Sequence, residues 1–349
     1  MVLKSPMVSI LVPDEFCQYN DFLPDGTKVF SYQCTKLTLF NKIHRKFLAF
    51  LSTRNPKSRI IIKSKPHELD QISVLYLPAW LVLLEHEHNS LLKQLPNLRW
   101  IYSQKTGIEH LPLTDLKDKN IQISNSGTLV SSWVAQTNVA CILAHAKRIP
   151  THICSEISLK KQAVFTNDIS LATIAIIGTG NIGQNTAQLC QALGMNVIGF
   201  SRNPKSKTPN EFFNKILPCS ELDNILPKVD YLILAIPLTD ETRDSIGLKQ
   251  FNQMKSSACL INFARPAIVN QKDLVNSIKT NNIAAVFTST LLNTARFTRF
   301  KLALGGRIIL THHSEAHLVE KNKLAYKQFS KLLAEFITYG KIVQTGKVI

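Results

Sequence analysis

The chain has 349 residues, 45% of them hydrophobic, and a formal net charge of +17; a length beyond what one core serves predicts two domains. Seven scattered cysteines without a CxxC pair exclude a disulfide framework and a cysteine-rich zinc site. The longest apolar run, Ile72 to Leu84, is broken by Pro78 and too short to span a bilayer, and no signal-peptide pattern stands at the start, so the expectation is a soluble, cytoplasmic protein with no membrane partner.

In chain order, the β-branched runs MVSILVPD, RIIIKS and ISVLYLP predict buried strands of a first unit, continued by NLRWIYSQKTGIEHL and NIQISNSG. Between 44 and 65, Arg45, Lys46, Arg54, Lys57, Arg59, Lys63 and Lys65 occur without an acid. A solvated basic face is the first reading and attraction of anionic ligands the second; no zinc-finger spacing, RNP run or basic heptad array supports nucleic acid. From Ser131, SSWVAQTNVACILAHAKRI has helical spacing. A second unit follows, with a strand entering a glycine turn and further strands at 231–236, 258–263, 284–287 and 307–311. Leu318, Ala325, Phe329, Leu332, Leu333 and Phe336 predict a closing helix that returns to the first unit. The expected class is α/β, with two Rossmann-like domains of doubly wound parallel sheets. The division is 1–126 with 314–349 as substrate-binding domain and 127–313 as the inserted dinucleotide domain.

Gly178, Gly180 and Gly183 form GTGNIG after the strand TIAII and before a helix. That context suits a pyrophosphate on backbone N–H groups at a helix N-terminus, with Asn181 and Ile182 in the same turn. The next strand ends on Ser201 and Arg202, with no acid anywhere from Ile169 to Asn210. A free ribose 2′-hydroxyl lacks its usual carboxylate acceptor there, whereas a 2′-phosphate gains Arg202, helped by Lys205 and Lys207. NADP(H) is therefore preferred, with NAD(H) possible.

From about Leu95 to Glu315 the chain resembles the D-isomer-specific 2-hydroxyacid dehydrogenases, the family that includes phosphoglycerate dehydrogenase and glyoxylate/hydroxypyruvate reductase. LPNLRWIYSQKTGIEHL, WVAQTNVACILAHAKRIP, VDYLILAIPLTDETRDSIG and SACLINFARPAIVNQKDLVNSI carry the resemblance. It implies a small 2-oxoacid or 2-hydroxyacid as substrate, hydride transfer at its C2, and a homodimer through the linking helix. Arg265 would clamp the substrate carboxylate with its planar fork. The usual glycine after that arginine is Pro266 here. Thr106, Ile236, Pro237, Phe263, Ala264 and Thr288 are assigned to the cofactor, and Ala79 and Trp80, in the loop after the third strand, to the substrate.

The family's acid–base histidine follows a strand in a Thr-Pro-His triplet; here THH puts His313 in that place and His312 in the proline's. The spacing of His313 and His317 also admits a metal reading, but no third ligand at familiar spacing follows, so no metal is assigned. The family's nicotinamide-site Asp and histidine-pairing Glu fall on Thr288 and Asn293, and Glu315 is a substitute or a first-turn helix acid. Two readings stand: a reductase with Arg265 and His313 in these roles, or a catalytically weak dinucleotide-binding or redox-sensing protein of the same fold.

Overall fold

The computed structural model describes residues 8–25, 27–34, 60–62, 69–79, 92–108, 111–157, 165–204, 211–289, 307–311 and 320–342. The chain divides into two compact units, Met1–Val130 with Leu318–Ile349, and Ser131–His317. Four helices matter below: α1 (Gly127–Ala146), α2 (Ile149–Ile157), α3 (Asn181–Ala192) and α4 (Lys321–Tyr339).

The first unit holds β1 (Ser9–Pro13), β2 (Lys28–Cys34), β3 (Ile60–Ile62), β4 (Ile72–Leu77), β5 (Trp100–Ser103) and β6 (Gln122–Asn125), in the order β3-β2-β1-β4-β5-β6. Its pairs are parallel except β2 with β3, where Tyr32 faces Ile62 in an antiparallel ladder. The run at 59–64, expected among the parallel strands, is thus an antiparallel edge. An edge strand has one neighbour, and either sense of pairing satisfies that single row of amides. The central strands β1 and β4 are almost wholly buried. Ala325, Phe329, Leu332, Leu333 and Phe336 of α4 are buried at the predicted helical spacing, with the Phe329 ring stacked 5.3 Å from that of Trp100. Each such aromatic stabilises the unit by about 1.5–3 kcal/mol. The Tyr102 hydroxyl donates to the Ala325 carbonyl at 3.2 Å, so the buried phenol is not left unpaired.

The second unit holds β7 (Thr173–Ile177), β8 (Asn196–Ser201), β9 (Lys215–Pro218), β10 (Tyr231–Leu234), β11 (Cys259–Asn262), β12 (Ala285–Thr288) and β13 (Ile308–Leu310). The order is β13-β12-β11-β10-β7-β8-β9 with every pair parallel. The chain runs outward from β7 to β9, then returns to lay β10 on the other side, which opens a ligand crevice past the ends of β7 and β10. Two apolar clusters, centred on Leu232 and Leu260 and on Ile174 and Ile261, cover the two faces. This is why the strands read as nearly continuous apolar runs. Their observed ends lie within two residues of the expected ones.

Helix α1 begins a turn before Ser131 because Asn125 Oδ1 accepts the Gly127 N–H at 2.8 Å, satisfying a donor at the helix start. It is also not one helix to Ile149. It ends at Ala146, Arg148 turns left-handed (φ 56°), and α2 restarts at Ile149 with Pro150 in its first turn.

Candidate functional site

The turn between β7 and α3 separates the roles of its three glycines. Gly178 has φ 103°, and a Cβ there would lie 2.3 Å from the Ala235 carbonyl oxygen; a Cβ on Gly183 would lie 2.0 Å from that of Gly178. Both are demanded by the protein's own backbone. At Gly180 a Cβ would meet nothing within 4 Å. Gly180 is also the N-cap of α3, with no side chain capping the helix. An open approach to uncapped N–H groups at a helix start is what a pyrophosphate needs, so these residues fit a dinucleotide. Asn181 and Ile182 are the first residues of that helix.

Beside this turn, across the switch in strand order, Ile236 and Pro237 follow β10. Their loop is fixed by the Thr242 hydroxyl donating to the Pro237 carbonyl (2.8 Å) and by the Thr239 N–H donating to Thr242 Oγ1 (2.7 Å). Ser201 closes β8 opposite Pro218, and Arg202 after it is exposed. Hydrogen bonding, chiefly from the Thr239 hydroxyl, holds the Glu241 carboxyl below its usual range, and Arg202 adds to the effect. The stretch around Arg202 lacks acids in sequence, yet the fold brings one within electrostatic reach.

Arg265 stands just past the end of β11. Asn262, 2% exposed, donates from Nδ2 to the Arg265 carbonyl (3.0 Å) and accepts the Ala264 N–H on Oδ1 (3.1 Å). One buried amide thus closes the turn that carries Phe263, Ala264 and Arg265. Arg265 is extended (φ −132°), the conformation a following proline favours, and Pro266 opens a short 3₁₀ turn where its missing N–H costs no hydrogen bond. Pro266 therefore continues this backbone without strain. Thr288, also buried, ends β12 as the register partner of Asn262, and its carbonyl accepts the Thr311 N–H at 3.1 Å. Thr311, the residue before His312 in sequence, thus lies beside Thr288. His312, His313, His317, Asn293, Glu315, Trp80, Lys205, Lys207 and the charged residues of the 44–65 run lie outside the described residues.

Ala79 and Thr106 belong to the first unit. The Ala79 N–H donates to Gln104 Oε1 at 2.8 Å, and Gln104 Nε2 donates to Asn322 Oδ1 at 2.9 Å. Thr106 is exposed and its carbonyl accepts Asn125 Nδ2 at 2.7 Å. Among the described residues no group of three or more His, Cys, Asp or Glu is arranged to hold a metal.

Asn262, Gln104 and Glu241 were not singled out from the sequence. The signal for Asn262 was there, as an amide ending the apolar run CLIN directly before an arginine turn. Gln104 left no local signal, since its partners Ala79 and Asn322 are remote in the chain, and the charge that Glu241 brings to Arg202 lies 39 residues further on.

A model of the family described as D-isomer specific 2-hydroxyacid dehydrogenase, NAD binding domain, matches residues 139–314. The chain is 26% identical over 291 residues to a glyoxylate reductase of Pyrococcus horikoshii, covering 77% of this chain and 83% of that protein. It is 28% identical over 229 residues to glyoxylate/hydroxypyruvate reductase B of Escherichia coli, covering 63% and 69%. In fold it is similar to a D-isomer specific 2-hydroxyacid dehydrogenase of Xanthobacter autotrophicus solved with NADPH and MES (TM-score 0.74, 16% identity, 98% of both chains). A glyoxylate reductase of Paecilomyes thermophila is a further neighbour in fold (TM-score 0.70, 20% identity, 98% of both chains).

Proposed function

Because the chain belongs to the D-isomer specific 2-hydroxyacid dehydrogenase family, oxidoreductases acting on CH–OH groups, we propose that it reduces a small 2-oxoacid, or oxidises the matching 2-hydroxyacid, with NADP(H) preferred over NAD(H). The observation that carries this reading is Arg265 on its Asn262-braced turn, at the same sheet edge as the glycine turn. When bound, the nicotinamide supplies hydride to C2 of the acid or accepts it. Arg265 binds the substrate carboxylate through two parallel hydrogen bonds and orients C2. His313 gives a proton to the oxygen on C2 during reduction and takes it during oxidation. Thr288 would hydrogen-bond the nicotinamide carboxamide and Arg202, beside Ser201, the ribose 2′-phosphate, with Ile236, Pro237, Phe263 and Ala264 also holding the cofactor.

Residues 127–313 would serve as the cofactor domain; Ala79 and Trp80 would bind substrate, and Thr106 the cofactor. For the Ala79 N–H to meet substrate, the Gln104 side chain must release it. The relatives named glyoxylate reductase support a small acid, and the exposed apolar residues Ile149 and Ile153 of α2 support a homodimer through the linking-helix region. The thiols of Cys190, Cys219 and Cys259 are free, which supports the cytoplasm; no described helix is long and apolar enough to cross a membrane.

The test follows loss of NADPH or NADH absorbance with a panel of 2-oxoacids, for the natural protein and Arg265→Lys. Turnover that collapses in Arg265→Lys while dinucleotide binding persists supports the reading. Tight dinucleotide binding with no turnover on any acid would replace it with a cofactor-sensing role.

A further inference from the structure

At the opposite edge of the second sheet, where β10, β12 and β13 begin, His145 near the end of α1 is 7% exposed. Its Nδ1 lies 3.2 Å from the Tyr231 hydroxyl, and the two rings meet edge-on. Its Nε2 is buried and has no hydrogen-bond partner among the described residues. A buried imidazole half-satisfied in this way costs stability unless something completes it.

Two hollows flank this ring. The larger, about 400 Å³, is bordered by Asp168 and Asp230, the latter paired with Lys255 at 2.7 Å. The smaller, about 40 Å³, is bordered by His145, Arg148, Thr151, Phe287 and Arg307, with no carboxylate among its lining residues. That volume admits little more than one water or the head of one small oxyanion.

Arg148 is unusual in its backbone. Among the described residues with positive φ, the others that are not glycine are Asn120, Asp244 and Asn281, types that tolerate the left-handed region; Arg148 has no such licence. A strained conformation held in place next to a cavity points to a role for the side chain. Its guanidinium acts electrostatically on both His145 and Tyr231, so it stands close to the orphaned ring. Arg307 gives Nε, Nη1 and Nη2 to the Ala284 carbonyl, Asn281 Oδ1 and the Ile283 carbonyl. This fixes its charge at the rim and leaves two of an arginine's five N–H donors for a ligand.

We propose that the smaller hollow is a binding site for a small oxyanion, a phosphate or a carboxylate, held between Arg148 and Arg307 and completed by a hydrogen bond from His145. With Tyr231 donating to Nδ1, the neutral ring carries its proton on Nε2 and offers it to the anion. The anion also favours the charged imidazole, so binding and protonation of His145 reinforce each other. Arg148 and Arg307 oppose that protonation from the anion's side, while Asp168 and Asp230 assist it from the larger hollow. The site lies away from the glycine turn and does not depend on the catalytic reading.

The experiment follows the His145 ring-proton signal by NMR in the full-length protein, assigned by its disappearance in His145→Gln. Inorganic phosphate and oxalate are titrated separately at an ionic strength held constant with sodium chloride. The expected result is a saturable shift with at least one of the two anions, together with an upward move of the His145 titration midpoint. Saturation by phosphate alone or oxalate alone supports the site and identifies its source chemistry. Arg148→Gly, which suits the left-handed backbone and so keeps the fold, should weaken the anion at least about tenfold and leave NADPH binding unchanged. A drift that sodium chloride reproduces, or an affinity that Arg148→Gly leaves intact, overturns the proposal.

Discussion

Asn262 and Arg265 are joined by a hydrogen bond from the Asn262 amide to the Arg265 carbonyl at 3.0 Å, while the same side chain accepts the Ala264 N–H at 3.1 Å. A residue sealed in the sheet thereby sets the backbone of the proposed carboxylate clamp. Asn262→Ala would remove both bonds and leave the Ala264 N–H without its partner, at about 1–3 kcal/mol. Reductive kcat/KM should fall while dinucleotide affinity holds. Equal turnover in the variant would show that Arg265 does not depend on this brace.

The glycine turn predicts two different failures. Gly183→Ala places a methyl against the Gly178 carbonyl and should lower stability by about 3 kcal/mol, the upper end for overpacking. Gly180→Ala sits at φ −79° with open space before it, so folding stability should fall by no more than about 1 kcal/mol, the cost of alanine at a helix N-cap. Its dinucleotide affinity should drop about tenfold. Calorimetric melts beside fluorescence titrations separate the two effects, and a Gly180→Ala protein with full affinity would remove the cofactor from this turn.

Arg202→Ala should weaken NADPH by about 1.5–3 kcal/mol, the range for a hydrogen bond to a charged group, and leave NADH little changed. Glu241, which shares Arg202's field, would compete with a 2′-phosphate for that guanidinium. Glu241→Gln should therefore tighten NADPH and not NADH. Parallel losses for both cofactors in Arg202→Ala would remove the 2′-phosphate role.

His313 has no family carboxylate beside it if Asn293 fills that place. Reduction, which needs the protonated ring, should then decline with rising pH, its inflection lower than a carboxylate beside the ring would set it. Asn293→Glu should move that inflection upward and raise the rate near neutrality. The check is the pH dependence of turnover in the natural protein, Asn293→Glu and His313→Ala. An unchanged profile in His313→Ala would place the proton donor elsewhere.

Burial, and after it the charge of Arg148, lower the His145 pKa to about 4. The fold accommodates the neutral ring, so this contribution is complete above about 6.5, the unfolded value, and is lost as pH falls towards 4. The full difference is about 3 kcal/mol. Thermal melts across that window, without phosphate, should slope less in His145→Gln than in the natural protein.

The doubly wound class was legible in the sequence because each buried parallel strand must be apolar on both faces, and runs such as TIAII and YLIL leave no other reading. The glycine turn was legible too, since its spacing records a local backbone requirement. So was α4, whose buried face repeats with the helical period. Tertiary structure alone decided the rest. Nothing local in Ile60–Ile62 specifies antiparallel pairing, because an edge strand accepts either sense. The start of α1 depends on Asn125 in the preceding strand, and its end on a left-handed Arg148. The acid near Arg202 comes from Glu241, across the sheet edge. The orphaned nitrogen of His145 exists only because α1 packs against Tyr231. Periodicity and turn chemistry reach a few residues along the chain, whereas hydrogen bonds and charges act between whichever groups the completed fold brings together.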